Sequence, residues 1–101
     1  MIVEYIRYTI PADQHDAFMA AYTRASESLR VSPVCLAYEL TRCEEAPDHH
    51  ILRIEWTSTA DHLQGFRRSP EFAPFFQAIG PYIEQIEEMH HYTPTDLTWR
   101  R

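Results

Sequence analysis

The chain opens on an alternating pattern. In IVEYIRYTI, Ile2, Glu4, Ile6 and Tyr8 fall on one side and Val3, Tyr5, Arg7 and Thr9 on the other. With its β-branched and aromatic content, this run predicts a strand with two different faces, ended by Pro11. The period then changes. Phe18, Tyr22, Ala25 and Leu29 recur at three- and four-residue spacing, which predicts a long amphipathic helix capped by Asp13, with Asp16 near its positive end, closing near Val31. After Ser32-Pro33, VCLAYELTRC reads as a second strand, EEAPD as a turn and HHILRIEW as a third strand, so the two form a hairpin. In the third strand Leu52, Ile54 and Trp56 share the more apolar face, expected to turn toward helices, with Ile51, Arg53 and Glu55 behind it.

Just past Trp56, Ser58 and Asp61 have the spacing of a capping box, which predicts a short helix from about Thr59 to Arg67 that buries Leu63 and Phe66. Ser69-Pro70 restarts the helix, and Phe72, Phe75, Phe76 and Ile79 give that piece a wide apolar stripe before Gly80-Pro81. A last strand follows from about Gln85 to Thr93. The order strand, helix, strand, strand, helix, strand is the split βαβ arrangement of ferredoxin-like folds, an α+β class with one antiparallel sheet carrying helices on one face. We expect residues 1–101 to form a single domain, with a tail from about residue 94 whose Trp99 either packs on a partner or frays. The opposite sheet face, with Val3, Tyr5, Cys35 and Ile51, needs cover, and a second copy of the chain is the natural one. A chain of 101 residues is also at the size where its own burial is only just sufficient.

Composition narrows the chemistry. A net charge of -6 argues against nucleic acid and anionic membrane as partners, because both need a basic face; a small neutral or weakly acidic ligand fits better. The 13% aromatic share points to an aromatic-lined core or pocket. No apolar run approaches a membrane span and no leader pattern precedes the first strand, so a cytoplasmic protein is expected. Cys35 and Cys43 on one extended strand would be roughly 26 Å apart, far beyond the roughly 6 Å of a disulfide, so free thiols are expected. The chain has no lysine and no asparagine, and only Gly65 and Gly80, which excludes Schiff-base lysine chemistry, a P-loop and a dinucleotide glycine fingerprint.

Several side chains are candidates for a site. Trp56, Leu63, Phe66, Phe72 and Phe76 would line a pocket for a flat aromatic molecule, where each ring pair adds roughly 0.5–1.5 kcal/mol beyond burial; the phenylalanines suit a plain core at least as well, whereas the strand-end position of Trp56 favours a pocket wall. His62 has an imidazole able to take a phenolic proton near neutral pH, although an exposed helix histidine is as common. Tyr92, Tyr38 and Tyr8 are hydroxyl handles that also suit ordinary core hydrogen bonds. Arg67 and Arg68 are the pattern of a solvated surface pair, and Glu84, Glu87 and Glu88 that of a solvated lead-in to the last strand. His49-His50 and His90-His91 suggest metal ligation, but strand neighbours point to opposite faces and the third and fourth strands flank the first without touching. No metal site is therefore expected.

Taken together, YIRYTIPADQHDAF, CLAYELTRC, LRIEWTSTADHL, SPEFAPFF and IEEM resemble the antibiotic biosynthesis monooxygenase (ABM) family of dimeric α+β barrels, over nearly the whole chain. The resemblance implies homodimers whose sheets pack face to face, each protomer holding a cavity between sheet and helices, with Trp56 as a wall. It implies a monooxygenase without flavin or metal, acting with O2 on quinols, anthrones or related phenols; on the chemistry of the side chains above, His62, Trp56 and Tyr92 are the candidates to act on the substrate. The chain departs from the family at Phe66, where histidine is frequent, and at Leu52, where some oxygenases carry asparagine; the missing histidine and the total lack of asparagine, which the haem-degrading branch carries in its first strand, argue against that branch. A rival reading of the same dimeric barrel, suggested by the missing histidine and asparagine, is a non-catalytic ligand-binding or sensing module; a third is an oxygen-independent isomerase with His62 as proton shuttle.

Overall fold

The computed structural model describes all 101 residues. The alternating N-terminal run forms strand β1, Ile2–Thr9, and a 3₁₀ turn at Ala12–Gln14 feeds helix α1, His15–Val31. The hairpin follows as β2, Cys35–Arg42, and β3, His49–Trp56. A π turn at Asp61–Gly65 and a 3₁₀ turn at Phe66–Arg68 lead to helix α2, Phe72–Ile79. A 3₁₀ stretch, Gly80–Gln85, then delivers the chain into β4, Ile86–Tyr92.

The strands form one antiparallel sheet in the order β2-β3-β1-β4, the ferredoxin-like α+β arrangement read from the sequence. Register decides which side chains meet. Ile2 lies opposite Trp56, Glu4 opposite Ile54 and Ile6 opposite Leu52, so these face the helices together. On the other side of β1, Glu4 lies opposite His91 and Ile6 opposite Met89. Helix α1 buries Phe18, Ala21, Tyr22, Ala25 and Leu29 against this face. Full burial of each large apolar side chain stabilises the fold by about 1.5–3 kcal/mol.

Several expectations are corrected. Asp13 caps nothing: α1 grows out of the preceding 3₁₀ turn, Gln14 is its first flanking residue, and no side chain bonds the helix start. The helix expected over residues 59–67 is mostly a π turn followed by 3₁₀ structure, in which the Phe66 N–H meets the carbonyls of both Asp61 and His62. The wider turn puts His62 and Phe66 inside and leaves Leu63 only half-buried. Its start does match the sequence reading, because the Asp61 N–H donates to Ser58 Oγ at 2.9 Å, while the Asp61 carboxylate accepts from the Thr57 hydroxyl at 2.6 Å. Pro70 precedes α2 instead of opening it, and the proline that does fall at a helical start is Pro81, early in the Gly80–Gln85 stretch.

Cys35 belongs to the helix-facing side. A bulge between Cys35 and Ala37 alters the alternation of β2, so Cys35 lies opposite Trp56 and packs on the core. The outer sheet face is correspondingly more polar than expected. Tyr5 and Tyr92 meet edge-on at 5.3 Å, Arg53 donates to Glu55 at 2.6 Å and to the Tyr5 hydroxyl at 3.3 Å, and Ile51 is 40% exposed. Both cysteines are free thiols, and no helix is long and apolar enough to cross a membrane.

Candidate functional site

Between the sheet and the segment from His62 to Ile79 lies a cavity of about 240 Å³. Its floor is Glu4, Ile6, Tyr8, Ile54 and Trp56 from the sheet; its roof is His62, Phe66, Phe72, Phe75 and Phe76. The strand-end position of Trp56 explains the indole there. It is buried at the edge of the hollow, its ring stacked on His62 at 4.3 Å with 10° between the planes, and Phe66 lies 5.1 Å away. Phe66 in turn meets Phe72 and Phe75 edge-on, at 5.8 and 5.3 Å. Phe76 is 48% exposed and stands at the mouth.

The polar groups of the cavity converge at the indole. The Trp56 Nε1–H donates to Glu4 Oε1 at 3.0 Å. His62 Nε2 stands 3.8 Å from the same oxygen, and His62 Nδ1 shares a hydrogen bond of 2.8 Å with His91 Nε2. Glu4 is 2% exposed and His62 is 5% exposed, whereas His91 is half-buried on the edge strand. Burial sets their charge states. It raises the Glu4 carboxyl above the ordinary range, an effect reduced by the Trp56 hydrogen bond and the nearby Arg67 charge. It lowers His62 to about 4, with Arg67 and His91 adding in the same direction, and it lowers His91 too. Both imidazoles are thus neutral at pH 7, one donating to the other.

At the far end of the cavity the hydroxyls of Tyr8 and Tyr22 hydrogen-bond to each other. Burial pushes Tyr8 up to about 12 and Tyr22 well above its usual range, so both stay protonated.

Of the residues proposed from sequence, His62, Trp56, Phe66, Phe72, Phe76 and Tyr8 are brought together here. Tyr92, Tyr38 and Leu63 are not. Tyr92 lies opposite Val3 in the register, on the outer sheet face against Tyr5, because its neighbour His91 takes the inward position. Tyr38 accepts from Arg30 Nε at 2.9 Å and borders a separate small hollow with Met19 and Leu40. Leu63 is turned aside by the π turn. Glu4 is the residue that the sequence reading passed over, while His91 and Arg67, weighed there as a metal ligand and as a solvated surface residue, both come close to this wall. A signal for Glu4 was available, since it stands alone among Ile2, Ile6 and Tyr8 on the apolar side of β1. A larger groove between α1 and α2, lined by Arg24, Glu27, Glu71 and Gln77 among others, is open and holds no such convergence.

A family model described as antibiotic biosynthesis monooxygenase matches residues 1–78, which include β1 to β3, the π turn and most of α2. The chain belongs to the antibiotic biosynthesis monooxygenase family. It is 22% identical to the uncharacterised protein YczJ of Bacillus subtilis (strain 168) over 92 residues, covering 91% of this chain and 97% of that one. A Bordetella bronchiseptica structure carrying the family's name superposes with a TM-score of 0.76 at 24% identity, over 93% of this chain and 96% of that one. SnoaB, a cofactor-independent oxygenase from Streptomyces nogalater, superposes with a TM-score of 0.73 at 16% identity, over 94% and 93%. At these identities the structural matches establish the shared fold alone.

Proposed function

We propose that this ABM protein is a cofactor-independent monooxygenase that oxidises a flat aromatic molecule, quinol- or anthrone-like, with O2. One observation carries the reading: an apolar, ring-lined hollow whose buried polar wall is a carboxylate and two neutral imidazoles. The substrate supplies the electrons. His62 accepts the acidic proton of a phenol or anthrone, and the Glu4 carboxylate 3.8 Å away stabilises the imidazolium that forms. The substrate anion gives one electron to dioxygen, and the resulting radical and superoxide combine to a peroxide. Loss of water from an anthrone peroxide leaves a quinone, with one oxygen atom in the product and the other in water. Exclusion of bulk water by Phe66, Phe72 and Phe76 protects these intermediates.

The protein works in this reading as a homodimer, in keeping with its family, through the outer sheet face where Tyr5, Ile51 and Tyr92 are partly exposed. A second reading, a non-catalytic ligand-binding barrel, is favoured by the low basicity that burial gives His62. An anion held beside it raises that basicity again, which is why the oxygenase reading leads.

The test is turnover. Purified protein treated with chelator is incubated aerobically with a panel of anthrones and quinols, and product is measured above the uncatalysed rate. Acceleration that is lost in His62→Ala and Trp56→Ala is expected. Thermal stabilisation by panel members without turnover transfers the case to the binding reading.

A further inference from the structure

We propose that Glu4, His62 and His91 form a binding site for a divalent late transition-metal ion, of which Zn²⁺ is the representative probe. The donor set is two imidazoles and one carboxylate, and one ligand atom from each lies within 4.8 Å of the others. Such N/O sets suit zinc and its neighbours and discriminate against Mg²⁺, which prefers oxygen.

The distances fit a site that closes on an ion. Bonds of about 2.0–2.1 Å at a tetrahedral angle hold two ligand atoms roughly 3.4 Å apart. The 3.8 Å between His62 Nε2 and Glu4 Oε1 is too long for a hydrogen bond and close to that span. His91 has further to move, and it is the ligand most able to, as a half-buried side chain on edge strand β4. Turning its ring toward Glu4 exchanges its hydrogen bond to His62 for a bond to the ion.

The surroundings are those of a supported ligand set. The Trp56 Nε1–H fixes the Glu4 carboxylate, and the indole face stacked on His62 fixes that ring. Glu4 is buried with no cation in direct contact, so an ion there would offset the desolvation of its charge. Three protein ligands leave a fourth position facing the cavity, open to water or to a ligand oxygen. An ion on His62 and a proton on His62 exclude each other, so the metal-loaded protein is the form in which the proposed base is blocked. The site itself does not depend on the oxygenase reading, and its test is binding.

Equilibrium dialysis of the chelator-stripped full chain against Zn²⁺ and, separately, Mg²⁺ decides it, with bound metal counted per protomer. One Zn²⁺ and no Mg²⁺ is expected. His91→Ala and Glu4→Gln should each weaken Zn²⁺ binding at least about tenfold, while His90→Ala and His49→Ala, which alter an exposed and a half-buried strand histidine outside the cluster, leave it unchanged. Circular dichroism checks each fold; if Glu4→Gln fails to fold, His91→Ala alone is decisive. No Zn²⁺ bound by the wild type, binding retained in His91→Ala, or equal loss in His90→Ala overturns the proposal. A simultaneous failure of the turnover assay would not rescue or harm it.

Discussion

Two pairs of imidazoles meet in this molecule, and only one of them sits in a site. His15 Nδ1 and His50 Nε2 hydrogen-bond at 3.0 Å with their rings stacked at 5.1 Å; His62 and His91 hydrogen-bond at 2.8 Å. Each pair joins an inward strand histidine to one from the helical layer, and in each the strand neighbour, His49 or His90, takes the other sheet face. The difference lies in what surrounds them. The His15–His50 pair packs against Phe18, itself in edge contact with Tyr82, with no carboxylate partner and no cavity, and the buried His50 Nδ1 has no partner. The His62–His91 pair borders open volume, a buried carboxylate and an indole. Histidine pairing alone does not make a site here; the adjacent carboxylate and the space for a ligand do.

The largest effect that sharpens this contrast comes from truncating the aromatic under each pair. Trp56→Ala and Phe18→Ala should each cost about 3–5 kcal/mol in urea denaturation, because both rings are fully buried. At temperatures where both remain folded, only Trp56→Ala should lose affinity for aromatic ligands. Equal loss in the two variants would erase the distinction.

Next in size is the effect on turnover. His62→Gln should lower kcat by about 100-fold, the lower range for loss of a positioned base, while His50→Gln leaves kcat within about twofold. Steady-state kinetics on any substrate found in the panel measures both.

Proton linkage gives a smaller and graded effect in the chelator-treated protein. Burial lowers His62 from 6.5 to about 4 and also lowers His50 and His91. A depressed folded pKa means that the unfolded chain takes up protons first as pH falls. The stability contributed by these neutral histidines is therefore present above pH 6.5 and is lost on acidification toward 4. Each contributes a slope of at most about 1.4 kcal/mol per pH unit. Urea midpoints measured from pH 7 down to 4 should show His62→Gln flattening the slope between 6.5 and about 4, and His50→Gln flattening it as well below 6.5. His15, Arg42 and Asp48 act on His50, and Glu4, Arg67 and His91 lie around His62, so Glu4→Gln should also alter the His62 portion.

The smallest expected effect is none. Tyr92→Phe and Tyr38→Phe remove hydroxyls that lie outside the cavity, and kcat/KM should not change; a loss in Tyr92→Phe would mean that the outer face takes part in the reaction.

What the sequence made legible follows from range. Alternation in β1 and β3 and the spacing of Phe18, Tyr22, Ala25 and Leu29 are local signals, and they carried the element order and the ferredoxin-like sheet. The ring-lined hollow was also within reach, since Trp56, Phe66 and Phe72 follow one another closely. Two kinds of feature were not. The π turn that brings His62 in and sets Leu63 aside depends on a single added residue per turn, which periodicity does not register. The meeting of Glu4, His62 and His91 joins β1, the π turn and β4, and the choice of His91 over Tyr92 for the inward face depends on a register that only the assembled sheet fixes. Flanking strands keep His50 and His91 apart, as the topology implied, yet each finds a second histidine in the helical layer.

The central claim is that the hollow beside Trp56 receives a flat aromatic molecule with its oxygen against the buried Glu4–His62–His91 wall. The most direct measurement is a crystal structure of the chelator-treated protein soaked under nitrogen with an anthrone or quinol. The account expects the rings between Trp56, Phe66 and Phe72, with an oxygen within hydrogen-bond reach of His62. A molecule bound only in the groove between α1 and α2 or on the outer sheet face, with the hollow closed by its own phenylalanines, would contradict it.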